Sequence, residues 1–331
     1  MSSLLLGLLF VALLAASLVA SQVMVSAIEA LADRHGLSEA ILGMLAALAA
    51  DAPEITTAAT ALVRHQPTLG AGVVIGSNVF NLAALLGLGA VVAGGLVLHR
   101  RVVLLSGGVA TWVAVVCLLT LLVPLRPLVG LLLVLLVLVP YIALGAQPRA
   151  RLASLATGSW SAWLTSAMAE EDTELEDFLP ERHGRVLPRA LGALAVVVLA
   201  SIEMERAGSD LGTRWSVPGI LTGGLVLAAA TSVPNAVAAI YLARRGRGAA
   251  VLSTAFNSNA INVALGLLAP ATLTGLGAID WRGQFVASSY LALTVGCVLV
   301  AWRAGALRRS AGLMILGAYL GFVVALVVIT R

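Results

Sequence analysis

The sequence predicts an all-α polytopic membrane protein, and three observations support this fold class. Hydrophobic residues make up 60% of the 331 residues and charged residues only 11%, whereas a soluble domain carries about 25% charged residues. Apolar runs of about 20 residues, the length that crosses a hydrocarbon core of about 30 Å, recur along the whole chain. The net charge of +4 comes from arginines in the short gaps between these runs. These arginines indicate membrane orientation and not nucleic-acid binding.

We expect ten transmembrane helices, and hence the lipid bilayer as the protein's surroundings. The first apolar run has no basic segment before it and is too long for a cleaved signal peptide, so it is predicted to be the first helix. The ten runs lie at approximately 4–31, 37–63, 69–94, 102–124, 127–147, 187–207, 217–243, 249–276, 284–302 and 308–330.

A polar stretch at 148–186 separates five runs from the other five and contains six acidic residues between 170 and 177. The predicted organisation is therefore a five-helix unit at 1–147, a cytoplasmic acidic linker at 148–186 and a second five-helix unit at 187–331. The linker acids could attract cations, but we interpret this stretch as a solvated loop.

The arginines predict the orientation, since all 20 basic residues are arginine. With both termini outside the cell membrane, 14 of them lie on the cytoplasmic side, which leaves 20 − 14 = 6 outside. This asymmetry follows the positive-inside rule. The six outer arginines are Arg64, Arg126, Arg206, Arg214, Arg282 and Arg331. The sequence does not predict an oligomeric state.

The two units contain matching segments. When the chain is shifted along itself until Pro53 meets Pro234, Ser77 falls on Ser258, Asn78 on Asn259, and Asn81 on Asn262. Five helices per unit is an odd number, so the second copy must enter the membrane in the opposite sense. Inverted repeats of this kind place substrate sites at the midplane between the halves.

The matched prolines predict breaks in two helices. Pro53 has no N–H to donate to the carbonyl of Ala49, and Pro234 has none to donate to that of Ala230. A freed carbonyl at bilayer depth is costly unless something binds it. Both carbonyls are therefore candidate ion ligands.

Two acids lie beside the first proline. Asp51 and Glu54 are three residues apart, so they share one face of a helix, and each costs roughly 2.5 to 3.5 kcal/mol at a membrane helix centre. Protonation or an arginine partner could neutralise them, but no arginine lies in a core segment near this depth. Hard cations such as Ca²⁺ bind six to eight oxygens, so the acids indicate a cation site.

Side-chain amides and hydroxyls on the matched helices could complete such a site. A single membrane asparagine usually serves helix packing, but two matched SN-x-x-N pairs point to ligands. Gly76, before the first pair, lets a neighbouring backbone approach closely. The candidate ligands are Ala49, Asp51, Glu54, Ser77, Asn78, Asn81, Ala230, Thr231, Ser232, Ser258, Asn259 and Asn262.

The Pro-Glu pair followed by GSNVFN, with both elements repeated, resembles the alpha repeats of the cation/calcium exchanger superfamily. The resemblance implies ten helices in two inverted halves, with alternating access by sliding of the first and sixth helices. It also implies ligands at Glu54, Asn81, Asn235 and Asn262. Under the same resemblance, Ser77, Ser258, Thr231 and Ser232 would line sodium sites.

The chain departs from the family pattern at the acids. Asp51 stands where the pattern has a hydroxyl, and Asn235 stands where the second half has an acid. Asp51 could restore the charge that the second half lacks. Two carboxylates balance one Ca²⁺ but accommodate three sodium ions less well. The sequence therefore does not decide which ions are transported.

These features predict an antiporter that exchanges Ca²⁺ or a related cation for H⁺ or Na⁺, with no resident cofactor. Burial disfavours a charged carboxylate, so Asp51 and Glu54 could take protons when the metal leaves. Glu203, near Glu205 in the sixth run, is a further candidate proton acceptor or gate. Alternatively, Arg206 pairs with these acids at a helix end.

Two other classes of protein remain as alternatives. A non-transporting or cation-sensing relative could result from the altered second half. An intramembrane enzyme would need a nucleophile with a base, or a metal centre, at membrane depth. The apolar runs contain no histidine, which disfavours the enzyme.

Overall fold

The computed structural model describes residues 2–35, 39–123, 125–145, 186–277 and 279–330, together with residues 163 and 166. Most of these residues are helical. The linker predicted at 148–186 lies almost entirely outside the described residues.

The helices of the first half follow the predicted apolar runs, with one short strand between them. They are α1 (Ser3–His35), α2 (Glu39–Val63), α3 (Pro67–Ala93), β1 (Gly95–Val97), α4 (Arg100–Leu122) and α5 (Pro127–Gly145). Within α3, the helix widens into π-helical turns over Leu82–Leu88.

The second half repeats this order, except that its second helix is divided. The elements are α6 (Val186–Arg214), α7a (Gly219–Thr231), α7b (Val233–Arg244), α8 (Gly248–Thr274), α9 (Trp281–Ala304), β2 (Ala306–Arg308) and α10 (Arg309–Thr330). The π-helical turns of α8, at Asn262–Leu268, occupy nearly the same place as those of α3. Such turns are often found at functional sites.

Among the described residues, eight helices are long and apolar enough to cross a membrane, and α7a with α7b would form a ninth span. The eight are α1, α3, α4, α5, α6, α8, α9 and α10. The helix α2 does not meet this criterion, and it carries Asp51 and Glu54 near its middle. The predicted class, a helical membrane protein, is confirmed.

The predicted break occurs in only one of the two matched helices. The segments α7a and α7b meet at Ser232 with a bend of 47°. The helix α2 continues through Pro53, so the prediction of a second break was wrong. One proline removes a single backbone hydrogen bond. The freed carbonyl of Ala49 instead accepts a hydrogen bond from Ser21 Oγ of α1 at 3.4 Å.

The centre of the molecule is formed by α3 and α8. Within their apolar stretches, 94% and 83% of the residues are buried, compared with 17 to 22% for α1, α5 and α10. The side chains that α1, α5 and α10 expose are mostly leucine and valine, as expected for helices that face lipid. The two central helices are those that carry the repeated asparagines.

Close backbone contact joins α3 to α7a. A Cβ added to Gly76 would lie 2.2 Å from the carbonyl oxygen of Gly224, and one added to Gly223 would lie 2.3 Å from that of Leu69. No side chain larger than hydrogen fits at this crossing, as expected where small residues pack membrane helices together. The close approach predicted at Gly76 is confirmed.

A two-stranded ribbon joins the two halves at one end of the helices. The strands β1 and β2 are antiparallel, with Gly95 opposite Arg308 and Val97 opposite Ala306. The sequence did not predict either strand, because three residues are too few to show an alternation of apolar and polar side chains.

Candidate cation-binding site

The helix α2 places two carboxyl groups in the core of the molecule. Asp51 and Glu54 are both fully buried, and their spacing places them on the same face of the helix. If both are ionised, carboxylates at the usual i, i+3 separation repel one another by roughly 3 kcal/mol at an effective dielectric constant of about 20. The pair therefore requires neighbouring donors, cations or protons.

Asp51 receives its hydrogen bonds from the second half of the chain. Its Oδ1 accepts from Asn235 Nδ2 of α7b at 2.8 Å and from Ser258 Oγ of α8 at 2.5 Å. Asn81 Nδ2 of α3 in turn donates to the same serine hydroxyl at 3.3 Å. One carboxyl oxygen thus connects α2 to both second-half helices.

Glu54 is bound in the same manner. Ser232 Oγ, at the junction of α7a and α7b, donates to Oε1, and Asn262 Nδ2 of α8 donates to Oε2 at 2.6 Å. Each acid of the first half therefore has one amide and one hydroxyl donor from the second half. Asn235, which stands at the acid position of the second half, is thus a partner of Asp51.

The central asparagines form a reciprocal pair. Asn78 Nδ2 donates to the backbone oxygen of Asn259 at 3.1 Å, and Asn259 Nδ2 donates to that of Asn78 at 3.0 Å. These two asparagines are also equivalent in the sequence, because the alignment of Pro53 with Pro234 superposes them. This pair holds α3 against α8. One turn further along, Asn262 donates to Glu54, and Asn81 donates to Ser258, which in turn binds Asp51.

Several oxygens at the centre have no hydrogen-bond donor among the described residues. Asp51 Oδ2, Asn81 Oδ1 and Asn262 Oδ1 are all buried and unpaired, although a buried polar atom normally has a partner. All three are acceptors of the kind that hard cations bind. Among the described residues, no cluster of three or more His, Cys, Asp and Glu side chains occurs. A cation here would therefore be bound by two carboxylates with neutral oxygens.

Some predicted ligands are directed elsewhere. Ser77 Oγ donates to the carbonyl of Ala228 at 3.5 Å, and Thr231 Oγ1 donates to that of Leu227 at 3.0 Å. Both hydroxyls are thus bonded to backbone oxygens of α7a. The carbonyl of Ala49 accepts a hydrogen bond from Ser21, and Ala230 is buried.

Glu203 lies outside the site. Its side chain is 49% exposed and accepts a hydrogen bond from Arg206 at 2.6 Å. This pairing with Arg206 is the alternative to a proton acceptor or gate that the sequence analysis gave. Glu205 is the buried acid of α6, and Arg64 donates to it at 2.8 Å. The two acids are close in the sequence, but only the second faces the protein interior.

Two residues near the site were not predicted. Ser21 contacts the carbonyl of Ala49, and Thr57, one turn beyond Glu54, is fully buried with an unpaired hydroxyl. Thr57 could have been found from its i, i+3 spacing to Glu54. Ser21 could not, because only the fold brings α1 to this point of α2.

With this geometry established, the chain can be compared with known proteins. A family model described as sodium/calcium exchanger protein matches residues 5–146 and 189–328. The chain belongs to the sodium/calcium exchanger family. Membership of this family of transporters argues against the intramembrane enzyme.

An individual relative matches only a short part of this exchanger-family chain. A putative antiporter, CaxA of Alkalimonas amylolytica, is 32% identical over 85 residues, which are 25% of this chain and 27% of the relative. The match thus spans about a quarter of that protein's length.

Solved exchanger structures share the fold over nearly the whole chain. An H⁺/Ca²⁺ exchanger, CAX, has a TM-score of 0.70 at 16% identity, covering 100% of this chain and 87% of that chain. The sodium-calcium exchanger NCX_Mj, soaked with 2.5 mM Na⁺ and 10 mM Sr²⁺, has a TM-score of 0.61 at 18% identity, covering 96% and 98%. Identities this low establish similarity of fold only.

Proposed function

We propose that this protein is a secondary active antiporter that exchanges Ca²⁺ or a related divalent cation for H⁺ or Na⁺ by alternating access. The observation that carries the proposal is the fully buried pair Asp51 and Glu54 beside the unpaired oxygens of Asn81 and Asn262. The relatives, an antiporter and two cation exchangers, support the same activity.

The charge of the site favours a divalent cation. Asp51 and Glu54 supply at most two negative charges, and their neighbours Asn235, Ser258 and Asn262 are neutral. One divalent cation would neutralise the pair and would relieve the repulsion between the two carboxylates. The cation is the transported substrate, and we propose no resident cofactor.

Protons are the favoured counter-ion. Ser77 and Thr231, which would line sodium sites, have hydroxyls directed to backbone carbonyls. The two buried acids, in contrast, can each accept a proton when the divalent cation leaves, because burial favours the neutral carboxyl. Sodium coupling is the second possibility, and flux measured under each gradient separates the two.

We also propose the finer architecture expected from the sequence. Ten spans would form two inverted units, 1–147 and 187–331, joined by a cytoplasmic linker at 148–186. The reciprocal contacts of Asn78 and Asn259 support the inverted relation. The distribution of the arginines supports a cell-membrane protein with both termini outside.

Flux through purified protein in liposomes tests the proposal. An outward H⁺ gradient should drive ⁴⁵Ca²⁺ uptake at zero membrane potential, and an equal Na⁺ gradient should drive much less. Glu54→Gln should abolish this uptake, whereas Asp210→Asn, which removes an exposed carboxylate of α6, should preserve it. Uptake by Glu54→Gln at the wild-type rate would refute the proposed site.

A non-transporting, cation-sensing relative is the second candidate. The observation in its favour is that Asn235 supplies no charge at the acid position of the second half. Such a protein would bind Ca²⁺ saturably in a titration but would show no flux under either gradient.

A further inference from the structure

The buried acid Glu205 forms an ion pair that the proposed transport site does not use. Its side chain is fully buried, and Arg64 Nη1 donates to its Oε2 at 2.8 Å. Two residues beyond Arg64, Gln66 Oε1 accepts a hydrogen bond from Ser209 Oγ at 3.0 Å. Helix α6 is therefore bonded at two points, one turn apart, to the turn at 64–66 that joins α2 to α3.

This double contact lies at one end of the helices, away from Asp51 and Glu54. Arg64 follows Glu54 by about three turns of helix, which corresponds to roughly 15 Å along the axis. That distance is about half the thickness of a hydrocarbon core. Arg64 is 34% exposed whereas Glu205 is completely enclosed, so the pair lies at the edge of the bundle, near one membrane surface.

The equivalent arginine of the second half has a different partner. The alignment of Pro53 with Pro234 places Arg64 on Arg245, whose guanidinium lies 4.3 Å from the ring centroid of Tyr241. This arginine therefore stacks on an aromatic ring of its own helix, whereas Arg64 binds an acid of another helix.

The partner acid also has no equivalent at the matching position of α1. When Ser21 of α1 is aligned with Ser201 of α6, Met24 falls on Met204 and Val25 falls on Glu205. A valine cannot accept a hydrogen bond from an arginine. Within the part of the chain that the structure describes, the ion pair of Arg64 with Glu205 therefore occurs at one end of the bundle only.

A second asymmetry involves the same two helices. Ser21 of α1 donates to the carbonyl of Ala49 in α2. The matching Ser201 of α6 is fully buried, and its hydroxyl has no partner among the described residues. The bond that α1 makes through this serine thus has no counterpart in α6.

We propose that the Arg64–Glu205 ion pair and the Gln66–Ser209 hydrogen bond form a latch that holds α6 in one of two positions. The proposal rests on the alternating-access function proposed for this protein. Movement of α6 away from the turn would leave a buried carboxylate without a partner, which is unfavourable. The latch therefore stabilises the state that is closed at this end and raises its population relative to the other state.

Distance measurements between spin labels test the latch directly. Labels on Thr213→Cys at the end of α6 and Leu273→Cys at the end of α8 report α6 movement in the full-length protein in lipid nanodiscs. The wild type should give one main distance. Glu205→Gln should add a second distance and should change the ratio of the two populations roughly tenfold, a typical size for conformational coupling.

Glu203→Gln is the matched control, because it makes the same change two residues away in an exposed pair. Its distances should equal those of the wild type. Arg64→Glu combined with Glu205→Arg should restore the wild-type ratio. Ser209→Ala, which leaves the ion pair intact, should shift the ratio in the same direction as Glu205→Gln but less. Wild-type distances in both Glu205→Gln and Ser209→Ala would overturn the latch.

Calcium flux measured on the same preparations separates the latch from the transport function. Changed distances in Glu205→Gln support the latch even if neither the wild type nor any variant transports Ca²⁺. In that case the proposed function fails and the latch stands. Normal wild-type flux with unchanged distances in both Glu205→Gln and Ser209→Ala refutes the latch and leaves the function intact.

Discussion

At the scale of single residues, both carboxyl groups of the site come from the first half of the chain. Asp51 and Glu54 both come from α2, and the second half contributes the amides of Asn235 and Asn262 as donors to them. The distance of 2.8 Å between Asn235 Nδ2 and Asp51 Oδ1 means that a carboxylate at either position would lie in the same pocket.

A carboxylate at position 235 should restore the binding that is lost when the carboxylate at position 51 is removed. Asp51→Ser removes one of two carboxylates and should weaken Ca²⁺ binding by roughly two to three orders of magnitude, as loss of one unit charge near the ion implies. Adding Asn235→Asp to this variant returns a carboxylate to the pocket and should recover most of the affinity. Calorimetric titration of Ca²⁺ into detergent-solubilised protein measures both changes.

Asp210→Asn serves as the control, because it removes a carboxylate that is exposed on α6. Its affinity should match the wild type. If the double variant binds as weakly as Asp51→Ser, the two positions do not share one pocket.

The sequence predicted most of this site because its ligands recur with fixed spacing. The i, i+3 spacings of Asp51 with Glu54 and of Asn78 with Asn81 placed each pair on one helix face. Spacing could not predict which partner each hydroxyl would choose. Ser77 and Thr231 bond to backbone carbonyls, a choice that depends on how α3 crosses α7a.

At the scale of helices, the tightest constraint is the crossing of α3 and α7a. Gly76→Ala would place a methyl group 2.2 Å from the carbonyl oxygen of Gly224. Because the backbone of α3 or of α7a must then move, we expect a loss of roughly 1–3 kcal/mol in the free energy of unfolding. The melting temperature in detergent should fall accordingly.

Gly108→Ala in α4 provides the comparison, since nothing lies within 4 Å of its added Cβ. It should melt at or slightly above the wild-type temperature, because alanine favours a helix over glycine. Equal melting temperatures for the two variants would mean that α3 and α7a are not in close contact.

The second prediction at this scale concerns Pro53. In Pro53→Ala, the new N–H can bond to the carbonyl of Ala49 and stabilise α2 by up to about 3 kcal/mol. That bond would compete with the one from Ser21. We expect unchanged or higher thermal stability but slower Ca²⁺ flux.

Pro140→Ala removes the proline inside the outer helix α5, where the residue is exposed, and should leave the flux unchanged. Wild-type flux in Pro53→Ala would show that the contact of Ser21 with the Ala49 carbonyl is dispensable for transport.

Helix positions followed from hydropathy, but helix continuity did not. Pro53 and Pro234 are matched in sequence, yet only the second-half helix divides. A donor from α1 reaches Ala49, and this tertiary contact is invisible in the local sequence. The strands β1 and β2 were missed for a related reason, since each depends on a partner in the other half of the chain.

At the scale of the whole molecule, the two halves meet through matched positions. The alignment of the repeats superposes Asn78 on Asn259 in the sequence, and the same two residues exchange hydrogen bonds in the fold. What the alignment could not predict is the inequality between the halves. Glu205 has a partner in Arg64, whereas the matching arginine, Arg245, lies over Tyr241.

The orientation of the whole molecule gives a further prediction. With both termini outside, Thr213→Cys at the end of α6 should react in intact cells with a thiol reagent that cannot cross membranes. Val97→Cys in β1, which is 70% exposed at the opposite end, should react only after the cells are opened. The native Cys117 and Cys297 are buried and should stay unlabelled. The reverse labelling pattern would show that both termini lie inside the cell.

The most direct test of the central claim is an experimental structure with Ca²⁺ bound at saturating concentration. We predict one ion in contact with Asp51, Glu54, Asn81 and Asn262, at calcium–oxygen distances of about 2.3–2.6 Å. An ion bound elsewhere, or a centre that stays free of metal while Ca²⁺ is transported, would contradict the proposed site.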